Sequence, residues 1–161
     1  MKRIILLGGA GAGKSTLARA IGARTGRPVI VLDDLWQPHW TDAEVPAFRE
    51  NLRALHAGET WVSDGNFAAV SFDIRLPRAD LIVWLDRPRW SSAWRAIARV
   101  FRTGEPHQFA DLAKVLAFIG NFERISRPRI EAAIAEHGPN LPIKRLRDDR
   151  EIAWFLDSLP A

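Results

Sequence analysis

Two kinds of hydrophobic pattern alternate along the chain. Short apolar stretches, typical of strands buried in a parallel sheet, are separated by stretches whose apolar residues recur at helical spacing. The predicted strands cover residues 3–7, 29–32, 61–63, 79–85 and 141–146. The predicted helices cover residues 14–25, 43–57, 72–76, 88–102, 110–137 (interrupted near 126–128) and 149–159. This alternation predicts an α/β fold built on a parallel sheet.

Composition narrows the class of protein. The 161 residues suit a single domain, because no linker, repeat or low-complexity tract divides them. No apolar run approaches the ~18 residues that span a membrane, and the apolar start at residues 4–7 is too short for a signal peptide. We therefore expect a cytoplasmic protein with no membrane partner. The absence of cysteine excludes disulfides, thiolate metal sites and a cysteine nucleophile, and the four histidines show no metal-ligand spacing.

The first predicted strand leads into a glycine-rich segment with an anion-binding pattern. Residues 8–15 fit G-x-x-x-x-G-K-S, the Walker A or P-loop motif, between a strand and a helix as the motif requires. Its N–H groups and the helix N-terminus attract phosphate. We expect ATP binding, with Lys14 at the β- and γ-phosphates and the Ser15 hydroxyl on Mg²⁺. The predicted nucleotide-binding residues are Gly8, Gly9, Ala10, Gly11, Ala12, Gly13, Lys14, Ser15 and Thr16.

Carboxylates follow three of the predicted strands. Asp33 and Asp34 follow the second strand, Asp64 the third and Asp86 the fourth. Ligands of an open α/β sheet bind at the carboxyl ends of its strands, so these acids can converge on one crevice beside the P-loop. Phosphoryl transfer needs one carboxylate to accept the proton of the attacking hydroxyl and another to hold Mg²⁺. Asp33 or Asp34 suits the first role and Asp64 the second, whereas helix capping explains Asp86 equally well.

The chain has a net charge of +4, and its arginines, which greatly outnumber its lysines, are unevenly distributed. Two groups of them flank a break at residues 103–108, with Arg95, Arg99 and Arg102 before it and Arg124, Arg127 and Arg129 after it. Arginines on both sides of a loop describe a lid that closes over phosphates, where Arg95 and Arg99 would neutralise charge on the transferring group. The alternatives are a solvated helix face and a basic surface that binds nucleic acid.

Tryptophans divide between the core and the predicted crevice. Trp61 and Trp84 lie within predicted strands, which places them in the core. Trp36 and Trp40 follow the second strand and its two aspartates. These two could line an acceptor pocket or cover the edge of the sheet.

Together these residues make the chain resemble the adenylate-kinase-like P-loop family of topology modulation (FlaR-like) proteins. The resemblance runs through most of the chain. It is carried by G-x-x-G-x-G-K-S-T-L-A at 8–18, L-D-D-L-W-x-P-x-W at 32–40, W-x-x-D-G-N-F at 61–67, I-R-L-x-x-A-D at 74–80, L-D-R-P-R-W at 85–90 and S-R-P at 126–128.

The resemblance implies a three-layer, nucleoside-kinase-like P-loop fold with a five-stranded parallel sheet in the order 2-3-1-4-5. One domain would cover residues 1–161, with an acceptor-side segment at about 34–60 and a short lid at about 102–125. The predicted lid residues are Arg102, Arg124 and, just after that segment, Arg127. Asp64 is similar to the aspartate of the D-G-F-P-R element of adenylate kinases, which helps to position Mg²⁺. Here Asn66 and Phe67 replace the F-P-R part, so the arginine that grips a nucleoside monophosphate is missing there. Arg75 is the candidate substitute, in an acceptor pocket with Trp36, Trp40 and Asn66.

Three functions are compatible with these residues. The first is a Mg²⁺- and ATP-dependent kinase for a small hydroxyl- or phosphate-bearing acceptor, with ATPase activity as a side reaction. The second is a nucleotide-regulated, nucleic-acid-binding or topology-modulating P-loop ATPase, whose arginines would form a stripe away from the crevice. The third is a P-loop module that binds ATP and performs no chemistry.

Overall fold

A five-stranded parallel sheet forms the centre of the fold in a computed structural model that describes residues 1–36, 41–88, 94, 98 and 120–160. The strands are β1 (Arg3–Gly8), β2 (Val29–Val31), β3 (Trp61–Asp64), β4 (Leu81–Leu85) and β5 (Ile143–Leu146). They lie in the order β2-β3-β1-β4-β5, and every pairing is parallel. The predicted α/β class and strand order are confirmed.

Helices connect the strands. Within the described residues they are α1 (Lys14–Thr25), α2 (Leu32–Leu35), α3 (Val45–Leu55), α4 (Ala68–Arg75), α5 (Arg127–His137) and α6 (Asp149–Asp157). A 3₁₀ turn, Leu76–Arg78, follows α4, and a π-helical turn, Phe122–Ser126, leads into α5 where the interruption was predicted. Helix α4 begins four residues earlier than the pattern predicts, because Phe67 takes a positive φ of 26° and turns the chain directly into the helix. In the described part of the chain, no helix has the length and apolar character needed to cross a bilayer.

The sheet is covered on both faces. Successive residues of a strand point to opposite faces, so Ile5 packs with the layer formed by α3, α4 and α5, whereas Ile4 packs with the layer formed by α1 and α6. Trp61 and Trp84 are fully buried, as their positions in strands predicted. Burial on both faces explains why the central strands are almost continuously apolar.

The strand register brings the carboxyl ends together. Asp64 lies opposite Leu6 of β1 and Val31 of β2, and Gly8 lies opposite Leu85 of β4. The P-loop therefore leaves the sheet beside the last residue of β3. This is the edge at which open α/β sheets bind ligands.

Candidate active site

The P-loop backbone requires glycine where it leaves the sheet. Gly8 has a φ of +141°, and a Cβ there would lie 2.5 Å from the carbonyl oxygen of Leu85. Gly13, with a φ of 96°, is the N-cap of α1 and provides no side chain to cap the first N–H groups of that helix. These N–H groups are therefore available to bind an anion.

The Lys14 ammonium lies over the start of the loop. Its Nζ donates to the carbonyl oxygens of Gly8 at 3.1 Å and Gly9 at 3.0 Å. Burial lowers the pKa of Lys14, while the nearby Asp64 and Asp33 carboxylates act to raise it. The ammonium is held by neutral carbonyls and is close to two acids, without forming an ion pair within contact distance with either.

Ser15 and Asp64 form a pair that suits Mg²⁺. Ser15 Oγ donates to Asp64 Oδ2 at 2.5 Å, whereas Asp64 Oδ1 is buried and accepts no hydrogen bond from the residues that the structure describes. Burial raises the pKa of Asp64, against the hydrogen bond from Ser15 and the charge of Lys14. Mg²⁺ binds oxygen ligands, usually one or two from protein and the rest from phosphate and water. A hydroxyl and an unpartnered carboxylate oxygen at the head of a phosphate loop fit that donor set.

Of the two aspartates that follow β2, Asp33 is the one whose charge acts on Lys14 and Asp64. Both are exposed on the short helix α2. The charge of Asp33 acts to raise the pKa of both Lys14 and Asp64, whereas the charge of Asp34 is not among those that act on either group. The structure therefore places Asp33 within electrostatic range of Lys14 and of Asp64, which accepts a hydrogen bond from Ser15.

Trp36 packs against two phenylalanine rings at the end of α2. It is half-buried, with its ring centroid 5.1 Å from that of Phe48 in an edge-on contact and 6.0 Å from that of Phe67. Phe48 and Phe67 also contact each other. Trp36 thus belongs to an aromatic cluster with Phe48 and Phe67, and its predicted place in an acceptor pocket stays a prediction. Trp40 lies outside the described residues.

Arg75 differs from its predicted role. Its side chain is fully buried, because Ser71, Phe72 and Arg75 form the inner face of α4. Burial lowers the pKa of Arg75 to about 9, and the Asp64 carboxylate opposes this shift. The guanidinium donates to Ser71 Oγ at 3.0 Å, Ser63 Oγ at 3.1 Å, Gly65 O at 2.8 Å and Asn66 O at 3.1 Å. The expectation that Arg75 grips an acceptor is therefore corrected: its donors are used inside the fold.

Asn66 also contacts the protein through both of its polar atoms. Its Oδ1 accepts from Gly8 N–H at 3.2 Å, and its Nδ2 donates to Gly8 O at 3.0 Å. Asn66 lines a cavity of about 500 Å³ between α4 and α5, together with residues such as Ala69 and Arg129. Asp33 and Lys14 do not line this cavity. The predicted acceptor residue thus supports the P-loop.

The predicted lid is described only at its end. Arg124 is exposed, whereas Arg127 pairs with Asp86 and with Glu123, and its guanidinium lies over the Trp84 ring. Arg145 binds the other oxygen of Asp86 at 3.2 Å. Arg127 and Asp86 therefore form an ion-pair cluster at the end of β4, which differs from a free lid cation. Arg95, Arg99 and Arg102 lie outside the described residues and stay predictions.

Sequence reasoning missed a buried polar pair, because the histidines were examined only for metal-ligand spacing. His56 and Ser63 are both fully buried. His56 Nδ1 donates to Leu52 O at 2.7 Å, and Ser63 Oγ donates to His56 Nε2 at 2.9 Å. Burial lowers the pKa of His56 to about 4. The available signal was Ser63, a polar residue inside an apolar strand.

Carboxylates pair with many of the described arginines. The pairs include Arg3–Asp80, Arg24–Asp157, Arg49–Asp73, Arg53–Glu50, Arg87–Asp149, Arg127–Asp86 and Arg145–Asp86. These arginines are therefore not part of the free basic stripe that the nucleic-acid hypothesis requires.

Comparison with known proteins supports the fold. No protein-family model matches the sequence, and no curated protein matches it. A shikimate kinase from Bacteroides thetaiotaomicron is similar with a TM-score of 0.62 and 20% identity, over 97% of this chain and 94% of that chain. A gluconokinase from Sinorhizobium meliloti 1021 has a TM-score of 0.55 and 18% identity, over 97% and 91%. A deoxyadenosine kinase from M. mycoides with bound dATP has a TM-score of 0.53 and 12% identity, over 96% and 97%.

These likenesses show the P-loop fold found in small-molecule kinases. Identities of 12–20% carry the fold alone. The finer resemblance to topology modulation proteins is not confirmed by the comparisons.

Proposed function

We propose that the protein is a Mg²⁺- and ATP-dependent phosphotransferase that moves the γ-phosphoryl group to a hydroxyl of a small molecule. The observation that carries the proposal is the convergence of Lys14, Ser15, Asp64 and Asp33 at one sheet edge. A module that only binds nucleotide needs the first three groups. An additional exposed carboxylate near the phosphate-binding lysine is what transfer to a hydroxyl requires.

Each of these groups has one role in the proposed reaction. Asp33 takes the proton of the acceptor hydroxyl, whose oxygen bonds to the γ-phosphorus as the bond from that phosphorus to the β–γ bridging oxygen breaks. Lys14 turns from the loop carbonyls to the phosphates and offsets their charge. Ser15 Oγ and Asp64 would hold a Mg²⁺ ion, which when bound would supply charge neutralisation to the phosphates. The products are ADP and the phosphorylated acceptor.

The acceptor side favours a hydroxyl over a nucleoside monophosphate. The D-G-F-P-R element, aligned on Asp64 and Gly65, has Ala68 at the position of its arginine, and the buried Arg75 has no exposed surface to offer a phosphate. The fold is shared with proteins named shikimate kinase, gluconokinase and deoxyadenosine kinase, which supports a small-molecule acceptor.

Acceptor-dependent ADP release tests the proposal. The purified protein with MgATP is incubated with hydroxylated and phosphorylated metabolites in parallel, and ADP is measured against the acceptor-free rate. At least one hydroxylated acceptor should raise ADP release about tenfold or more, and Lys14→Ala should abolish both this release and MgATP binding, since the phosphates lose their cation. Lys144→Ala, on β5, is the matched control and should retain both.

Two outcomes would overturn the proposal. MgATP binding that is unchanged in Lys14→Ala would remove the P-loop assignment. Tight MgATP binding with no acceptor-stimulated ADP release across the panel would leave a nucleotide-binding module without transfer.

A further inference from the structure

We propose that Asn66 is a positioning residue of the phosphate loop. Its side-chain amide binds the N–H and the C=O of Gly8, and it keeps the Gly8 carbonyl hydrogen-bonded when Lys14 turns to the phosphates. This inference rests on the nucleotide binding of the proposed function, and it gives Asn66 a role on the nucleotide side of the crevice.

The Asn66 amide continues the pairing of β1 where β3 stops. Gly65 N–H makes the last main-chain contact, with Leu6 O at 3.4 Å. One residue further, the side chain of Asn66 takes over, accepting from Gly8 N–H at 3.2 Å and donating to Gly8 O at 3.0 Å. Both main-chain hydrogen-bonding groups of Gly8, its N–H and its C=O, are thereby bound by a single planar amide.

The segment that carries Asn66 is fixed from several directions. Gly65 has a φ of +135°, and a Cβ there would lie 2.9 Å from Leu32 Cβ. Phe67 has a φ of 26° and packs its ring against Trp36. From inside the fold, Arg75 donates to the carbonyls of Gly65 and Asn66. An uncommon backbone conformation held by this many contacts is typical of a segment that positions a functional group.

Each carbonyl that Lys14 contacts has a second donor. Gly8 O accepts from Lys14 Nζ at 3.1 Å and from Asn66 Nδ2 at 3.0 Å. Gly9 O accepts from Lys14 Nζ at 3.0 Å and from Ala12 N–H at 3.3 Å. When the ammonium moves to the phosphates, each carbonyl still accepts a hydrogen bond from its second donor. Because an unpaired carbonyl in a half-buried site is unfavourable, the second donor makes it easier for Lys14 to leave.

Calorimetric titration with MgATP tests this role. Asn66→Ala should raise the Kd for MgATP about tenfold, because Gly8 O loses its remaining donor once Lys14 leaves. The Tm of the nucleotide-free protein should fall by only about 3 °C or less, since Lys14 still binds Gly8 O there. A purely structural Asn66 would give the reverse result, with a large fall in Tm and an unchanged Kd for the folded protein.

Further variants separate the amide from charge and from side-chain size. Asn66→Asp should weaken MgATP at least as much as Asn66→Ala, because a carboxylate oxygen would face Gly8 O and compete for Lys14. Asn66→Gln keeps the amide on a longer side chain and should have a smaller effect. Asn51→Ala and Asn51→Asp, at an exposed position of α3, are the matched controls and should leave the Kd unchanged.

The outcomes distinguish this inference from the proposed function. A Kd within twofold of wild type in both Asn66→Ala and Asn66→Asp overturns the inference and leaves phosphotransfer standing. If Asn66→Ala does not fold, an unchanged Kd in Asn66→Asp and Asn66→Gln overturns it in the same way. If the Asn66 variants weaken MgATP as expected but no acceptor supports ADP release, the inference stands and the proposed reaction fails.

Discussion

Ser63 and Asp64 are neighbours in β3, but they differ in whether their side-chain oxygens have hydrogen-bond partners within the protein. Both side chains are buried, at 0% and 1% exposure, and they point to opposite faces of the sheet. Ser63 Oγ donates to His56 and accepts from Arg75, so its hydrogen-bonding capacity is used within the protein. Asp64 has one oxygen bound by Ser15 and one without a hydrogen-bond partner among the described residues.

The difference separates polar groups that hold the fold from polar groups prepared for a ligand. A buried polar group normally has its partners, and an exception calls for an explanation. Around Ser63 the network is closed and stabilises the packing of α3 and α4 on β3. Around Asp64 it is open, and burial raises the pKa of that carboxyl. We call Asp64 with Ser15, Lys14 and Asp33 the open side, and Ser63 with His56 and Arg75 the closed side. We expect substitutions on the open side to change function and substitutions on the closed side to change stability.

The largest expected effect is on the open side. Asp33→Asn should lower the rate of phosphotransfer about a thousandfold, because the amide cannot take the proton of the acceptor hydroxyl. MgATP affinity should stay within a few-fold, as measured by titration alongside steady-state kinetics. Asp34→Asn is the matched control and should keep most of the activity. Equal losses in the two variants would show that Asp33 has no special role.

The next largest effect is expected on stability, from replacing Arg75, the buried cation of the closed side. Arg75→Met should lower the free energy of unfolding by about 3–4 kcal/mol, because the buried carbonyls of Gly65 and Asn66 and two serine hydroxyls lose their donor. Urea denaturation measures this loss. Arg53→Met, whose side chain is 51% exposed beside Glu50, should change stability by about 0.5 kcal/mol or less. A loss below about 1 kcal/mol for Arg75→Met would contradict the closed network.

The histidine of the closed side should make stability depend on pH. With a folded pKa of about 4 and an ordinary value of 6.5, His56 stays neutral in the fold while the unfolded chain takes up a proton. The contribution of His56 to the free energy of unfolding is therefore fully present above pH 6.5. It should fall by about 3 kcal/mol as the pH drops to 4. Denaturation at several pH values measures the slope.

His56→Asn should remove most of that pH dependence, whereas His137→Asn, at the end of α5, should leave it in place. An equally steep fall in the His56 variant would show that carboxylates elsewhere cause it.

The smallest expected effect concerns the open carboxylate itself. Asp64→Asn should weaken Mg²⁺ binding to the ATP complex about tenfold, measured by Mg²⁺ titration at fixed ATP. At pH 7 the nucleotide-free Tm should rise, because burial disfavours the charged form of Asp64 and an amide removes that charge.

Asp80→Asn provides the contrast. Asp80 accepts from the N–H groups of Lys2 at 2.6 Å and Arg3 at 2.9 Å and pairs with the Arg3 guanidinium, so the same substitution there should lower the Tm. If both variants lost stability, the distinction between open and closed carboxylates would be lost.

Local pattern accounts for the parts of the fold that could be predicted. The apolar strands, the glycine spacing of residues 8–13 and the acid at the end of β3 each depend on a few consecutive residues, and strand order followed from the family resemblance. The direction in which Arg75 points depends on where α4 begins, and Phe67 sets that start through a backbone angle that its residue type does not predict. The Asn66 contact with Gly8 and the pairing of Arg127 with Asp86 join residues 58 and 41 positions apart. Such contacts follow from tertiary packing.

The missing Cβ of Gly8 has a consequence for protein engineering. With the carbonyl of Leu85 only 2.5 Å from where a methyl group would sit, the loop and the neighbouring strand cannot be exchanged separately. A graft of residues 8–15 onto another scaffold would have to keep the same spacing to the neighbouring strand. The unit that can be transferred is therefore the loop together with β4.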